Sequence, residues 1–340
     1  LIDVLPSISN ILSELITGAI GGTIVAGIGL GYRIYSRRQI EAKFPVSGDY
    51  ISFFEDIVEG EKVTVPSTAE IKQRGSSVRI INQQEDGRSW TLDGTILQGG
   101  HMSGVYSADA VYDEGVGSFY LRIGPNDLDG MWNGYDHVNK TTNAGRYWFR
   151  RILDAEVVEF SRSYLNDVLH TSTNAFGSGY VDRKSLEPGD GKFALVALVN
   201  GEFAGYCFGG VQTEHSIRSL LKNAPGILPD DVRLADEDGS LGLLKTVAIR
   251  RKFRSHGVGT RLVQAAEKQL HGLGAECIVV PAWKSHGTLP IGNLLRNNDY
   301  AEWLEVPDYW RRECENDEFE CRSFSGGCNC SVIFFRKGRF

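Results

Sequence analysis

The run Arg254-Ser255-His256-Gly257-Val258-Gly259 is where residue type and spacing point most directly to chemistry. It follows Leu241–Ile249, an apolar stretch that reads as a strand. It precedes Leu262, Ala266, Leu270 and Leu273, an apolar stripe at helical spacing. A strand, a glycine-containing turn and a helix together leave backbone N–H groups free at the helix start, where the helix dipole also favours an anion. Gly257 and Gly259 have no Cβ to hold a phosphate away from the main chain. Arg250, Arg251, Lys252 and Arg261 add positive charge, either for a second phosphate or as a solvated basic turn facing anionic lipid.

A second cluster lies near the C-terminus, where Cys314, Cys321, Cys328 and Cys330 fall within one short polar stretch. Four thiolates can close a tetrahedral zinc site, and Gly326-Gly327 lets the loop bend around it. The spacing is not that of a zinc knuckle, so free thiols or disulfides stand beside the structural-zinc expectation. Cys207 and Cys277 sit apart, in apolar runs.

These groups need elements to position them, and the chain divides into three parts. The first, residues 1–45, holds an uncharged run from Leu15 to Tyr32. As a helix of 1.5 Å rise that run would reach about 27 Å, enough for a transmembrane anchor. Arg33, Arg37, Arg38 and Lys43 follow it, which predicts a single-pass membrane protein with cytoplasmic C-terminal domains. A glycine-rich buried helix and a signal sequence are the other readings of the same run. Gly18-x-x-x-Gly22 and Gly27-x-x-x-Gly31 would let two such helices pair as a homo-oligomer.

Residues 46–151 show short alternating runs broken by turn residues, such as Ser77-Val78-Arg79-Ile80-Ile81 and Arg146-Tyr147-Trp148-Phe149-Arg150. That pattern predicts an antiparallel barrel of about eight strands. Residues 152–340 mix strand and helix patterns and predict an α/β domain with a mixed sheet. A net charge of -7 argues against a nucleic-acid partner.

The stretch from Ile249 to Leu262 resembles the acyl-CoA-binding motif of the GNAT superfamily of N-acetyltransferases. Its Arg/Gln-x-x-Gly-x-Gly/Ala core falls on Arg254, Gly257 and Gly259, with Phe253 and Leu262 at the flanking positions. The departures are Arg251, where the family often has proline, and Ser255, where it often has glycine. The hairpin Lys192–Val199 and Phe203 to Phe208, and the strand Glu276 to Val280, extend the resemblance to roughly residues 152–340.

The resemblance implies acetyl-CoA or another acyl-CoA as co-substrate and an amine as acceptor. It implies that Val247 and Ile249 lend backbone groups to the pantetheine arm, and that Arg254, Ser255, His256, Gly257, Val258 and Gly259 hold the pyrophosphate. The nearby basic residues would meet the 3'-phosphate. The register that gives many family members a tyrosine acid gives Leu295 here, so the acid is unassigned; Glu214, His215 and His286 are candidate bases by neighbourhood alone. A non-catalytic acyl-CoA sensor is the alternative. The N-terminal part loosely resembles the membrane-anchored β-barrel effectors of bacterial cyclic-nucleotide signalling, through Trp90, Gly94, Gly104, Leu121, Gly130, Trp132, Gly134 and Tyr147. That likeness implies a small ligand such as a cyclic nucleotide.

Overall fold

The computed structural model describes residues 39–58, 61–109, 115–136, 140–187, 189–222, 224, 226–315, 320–321 and 330–338. The chain forms two compact units that part between Arg151 and Ile152.

The first unit is a closed antiparallel barrel of eight strands in sequence order: β1 (Gly48–Val58), β2 (Glu61–Arg74), β3 (Ser77–Gln83), β4 (Ser89–Ile96), β5 (His101–Ala108), β6 (Val116–Ile123), β7 (Asp127–Asp136) and β8 (Thr141–Arg151). Alternation builds it. In β3 every second residue (Val78, Ile80, Asn82) is buried, and Arg79 and Ile81 face out. At Gly104, paired with Gly94, a Cβ would lie 2.1 Å from the Asp93 carbonyl oxygen, so this close approach of β4 and β5 requires glycine. Tyr50, Ile80, Met102, Leu121 and Phe149 fill the apolar part of the interior. A buried polar set occupies another part: Ser52 and Ser67 both donate to Asn82 Oδ1, at 2.6 and 3.0 Å, and Asn82 Nδ2 donates to Tyr147 at 3.1 Å. The likeness to barrel effectors reaches only as far as this closed eight-stranded barrel.

The second unit is built on a seven-stranded sheet of order β15-β17-β14-β13-β12-β11-β9. Its strands are β9 (Ala155–Glu159), β11 (Lys192–Val199), β12 (Glu202–Val211), β13 (Leu241–Ile249), β14 (Cys277–Lys284), β15 (Ala301–Val306) and β17 (Ser331–Gly338). The short strands β10 (Gly177–Ser178) and β16 (Glu320–Cys321) pair separately. The helices are α1 (Leu165–Phe176), α2 (Arg183–Leu186), α3 (Ile217–Leu220), α4 (Asp230–Glu237), α5 (Val258–Gly272), α6 (Gly292–Arg296) and α7 (Arg311–Glu315). Among the described residues, only β13 and β14 run parallel. The apolar face of α5 (Val258, Leu262, Val263, Ala266, Leu270) packs into the largest core cluster with Leu195, Leu244, Ile278 and Phe335. Leu273, expected on that stripe, lies just past the helix end and is 39% exposed.

The expected membrane architecture is corrected. No helix among the described residues is long and apolar enough to cross a membrane, so a single-pass anchor and the localisation that depends on it are not supported. The segment from Leu15 to Tyr32 lies outside the described residues. Absence of charge does not by itself make a spanning helix, which needs about 20 predominantly apolar residues, and six of these eighteen are glycine. Pairing of chains through such a helix has no support either.

Candidate functional site

Parallel strands β13 and β14 pair only from Leu241↔Cys277 to Leu243↔Val279. Beyond that point they part. β13 stays paired with β12 through Ile249, and β14 stays paired with β17 along its whole length. The divergence therefore frees the β14-facing edge of β13 at Val247 and Ile249, both half-buried and packed against the α5 cluster.

From Ile249 the chain makes a single 3₁₀ turn, Arg251–Phe253, pinned by burial of Phe253 and by Arg250 N–H donating to the Ala204 carbonyl at 2.8 Å. Arg254 folds back, its Nε donating to the Ile249 carbonyl at 3.0 Å, so its side chain braces the turn. Ser255 (φ 62) and Gly257 (φ 81) are both left-handed. His256 is buried between them, and its carbonyl accepts from Leu153 N–H. Gly257 then caps α5 without any side-chain hydrogen bond. Among the described residues no backbone carbonyl accepts from the N–H groups of Gly257, Val258, Gly259 or Thr260; the first one used is that of Arg261, to Gly257. Left-handed turns and an uncapped helix start aim several N–H groups at one point, an arrangement suited to a phosphate oxygen. Gly259 also serves packing, since a Cβ there would lie 3.0 Å from Leu294 on α6.

The four basic residues expected to add charge divide into two pairs. Arg250 is bound to Asp167 at 2.5 Å and lies over the Phe203 ring, and Lys252 pairs with Glu202 at 2.5 Å. Arg251 is exposed, and neither it nor Arg261 makes an ion pair among the described residues. Sequence alone does not separate the two pairs, because their carboxylate partners lie far along the chain.

Of the candidate bases, Glu214 and His215 fall at the wrong end of β13. His215 N–H donates to Asp236, and Glu214 lies against Gly239, just before the strand begins. A nine-residue strand separates them from the Ser255 to Thr260 turn by about 26 Å. His286 stands beyond the C-terminal end of β14, exposed, with Ser285 Oγ 2.9 Å from its Nδ1. Leu295 is fully buried in the core beneath α5.

Among the cysteines, Cys207 and Cys277 are buried, and burial pushes the Cys277 thiol up to about 12. Cys330 is buried at the start of β17, and Cys314 and Cys321 belong to α7 and β16. Cys328 lies outside the described residues. No group of His, Cys, Asp and Glu among the described residues is arranged to hold a metal, so zinc is not supported there.

The model of the acetyltransferase (GNAT) family matches residues 142–286, from the last barrel strand to the loop after β14. The span includes β13, the Ser255 to Thr260 turn and α5. Solved structures similar in fold include Ard1 from Thermoplasma volcanium, at 12% identity and a TM-score of 0.36, covering 55% of this chain and 98% of that one. Another is the ribosomal-protein-S18-alanine N-acetyltransferase from Escherichia coli, at 12% identity and a TM-score of 0.37, covering 54% of this chain and 94% of that one. A third is an aminoglycoside 6'-N-acetyltransferase complexed with coenzyme A, at 15% identity and a TM-score of 0.37, covering 54% and 96%. No curated protein matches the sequence.

Proposed function

We infer that the second unit is an N-acetyltransferase that moves an acetyl group from acetyl-CoA to an amine. The observation that carries this reading is the uncapped, left-handed turn at Ser255 to Thr260, set where β13 has parted from its parallel neighbour. The N–H groups of that turn would hold the pyrophosphate, with Arg251 and Arg261 free to meet a further phosphate. The exposed edge of β13 at Val247 and Ile249 would pair with the amide-bearing pantetheine arm as a neighbouring strand would. The thioester would then lie in the divergence.

There the neutral amine attacks the thioester carbonyl, the C–N bond forms, and the C–S bond breaks. The nitrogen gives up one proton and the leaving thiolate takes one, so the products are an amide and a thiol. Placement of amine and thioester supplies much of the acceleration when water carries the protons. A second reading, acyl-CoA binding without turnover, is favoured by one observation: Leu295, at the register of the usual acid, is sealed in the core.

Titration calorimetry of the full chain with acetyl-CoA, followed by a thiol-release assay over a panel of amines, tests both readings. Binding with release is expected. Binding without release from any amine leaves the sensor, and absence of binding removes both.

A further inference from the structure

The face of the sheet opposite α5 carries two separate apolar clusters. One lies under α1 on β11, β12 and β13, and includes Val168, Val196, Tyr206 and Phe208. The other lies under α4 on β14 and β17, and includes Val232, Val279, Val332 and Phe334. Four aromatic residues bridge them across the divergence: Phe176 at the end of α1, Tyr180 just after it, Trp283 near the end of β14, and Trp310. Ring centroids are 4.5 Å apart for Phe176 and Tyr180, and 6.5 Å for both Phe176 with Trp283 and Tyr180 with Trp310. All four are half-buried.

The wall has a polar floor. Tyr180 OH lies 3.4 Å from Thr246 Oγ1, three residues beyond the last β13–β14 pair. Behind it the hydroxyls of Thr171, Ser172 and Tyr206 are buried without a hydrogen-bond partner among the described residues, as is the Trp310 indole N–H. Ser172 approaches the Tyr206 phenol without a well-formed bond. Those polar atoms are shut off from solvent, so what the divergence presents to a ligand is the half-buried aromatic wall with the Tyr180 and Thr246 hydroxyls at its foot.

We propose that this wall receives the amine acceptor, and that the acceptor is a small monoamine carrying a flat apolar or aromatic group. This rests on the acetyltransferase reading above. The nitrogen lies at the Tyr180 and Thr246 hydroxyls beside the divergence, and the apolar body lies against Phe176, Trp283 and Trp310. The surrounding charges select against a polyamine. Lys222 Nζ sits 5.5 Å from the Trp310 ring and Lys245 Nζ 5.8 Å from that of Phe208, whereas Glu313 and Glu305 are engaged by Lys222 and Lys284. A second ammonium lying along the wall would meet these two lysine ammonium groups.

The test uses the full chain with acetyl-CoA and compares 2-phenylethylamine with spermidine. The expected kcat/KM favours 2-phenylethylamine by about ten-fold or more, and Trp283→Ala raises its KM by about ten-fold while the KM for acetyl-CoA stays unchanged. Trp283→Phe restores most of the loss, and Phe176→Leu gives an independent check should Trp283→Ala fail to fold. Preference for spermidine, or an unchanged KM in these variants, overturns the assignment. Calorimetry on the same preparation keeps the two ideas apart: acetyl-CoA binding with neither binding nor turnover of 2-phenylethylamine overturns the acceptor class alone, and loss of acetyl-CoA binding removes the function beneath it.

Discussion

Gly257 serves both backbone conformation and ligand approach. Its φ of 81 is one that other residues adopt only with strain, and a Cβ there would meet Ile152 at 3.1 Å. Gly257→Glu should therefore strain the turn by roughly 1–2 kcal/mol and set a negative charge beside the N–H groups that would bind pyrophosphate. We predict at least about a hundred-fold loss of acetyl-CoA affinity by calorimetry, with the far-ultraviolet circular dichroism retained. Affinity within a factor of two of the parent would remove the pyrophosphate assignment. In the barrel, Asn82 accepts from two buried serines and donates to Tyr147. Asn82→Ala leaves those hydroxyls without their central partner and should cost on the order of 3 kcal/mol, measured by denaturant unfolding.

Among the elements, α5 is the one whose loss would disturb the site most, because its buried face fixes where its N-terminus points. Leu262 is fully buried, and Leu262→Ala should destabilise the second unit by about 2–5 kcal/mol, read as a lowered Tm. An unchanged Tm would mean the helix is not packed as described. The strand β13, the turn and α5 were legible in the sequence because an apolar run, two glycines and a 3.6-residue stripe are local signals. Alternation likewise revealed the barrel, although β2 is faint: its inward residues Ser67, Ala69 and Ile71 include only one large apolar side chain, and Pro66 interrupts the run. The aromatic wall was not legible. Phe176 with Tyr180, Trp283, and Trp310 come from three separate stretches of chain, which the fold brings together where β13 parts from β14. Glu214 and His215 misled for the converse reason, since nearness to β13 in sequence does not reveal which end of the strand a loop adjoins.

Across the whole molecule, burial of tyrosines sets a shared alkaline limit on stability. Tyr147 lies in the barrel, and Tyr206 and Tyr309 lie in the second unit; burial is the largest cause holding each phenol above its ordinary range, with Tyr309 pushed up to about 12 and the other two further. Phenols are neutral when protonated, so a raised folded-state pKa means that the unfolded chain loses these protons first. Their contribution is fully present below the unfolded value of about 10, and declines as pH rises from there through the folded values. Both units should therefore lose stability above about pH 10. Tyrosinate absorbance and near-ultraviolet circular dichroism, followed together through an alkaline titration, check this. An early reversible rise in absorbance at unchanged dichroism is expected, then a later steep rise as the dichroism collapses. If all 13 tyrosines titrated in one step while the aromatic dichroism persisted, the buried phenols would have to be open to solvent, and the packing described for both cores would be wrong.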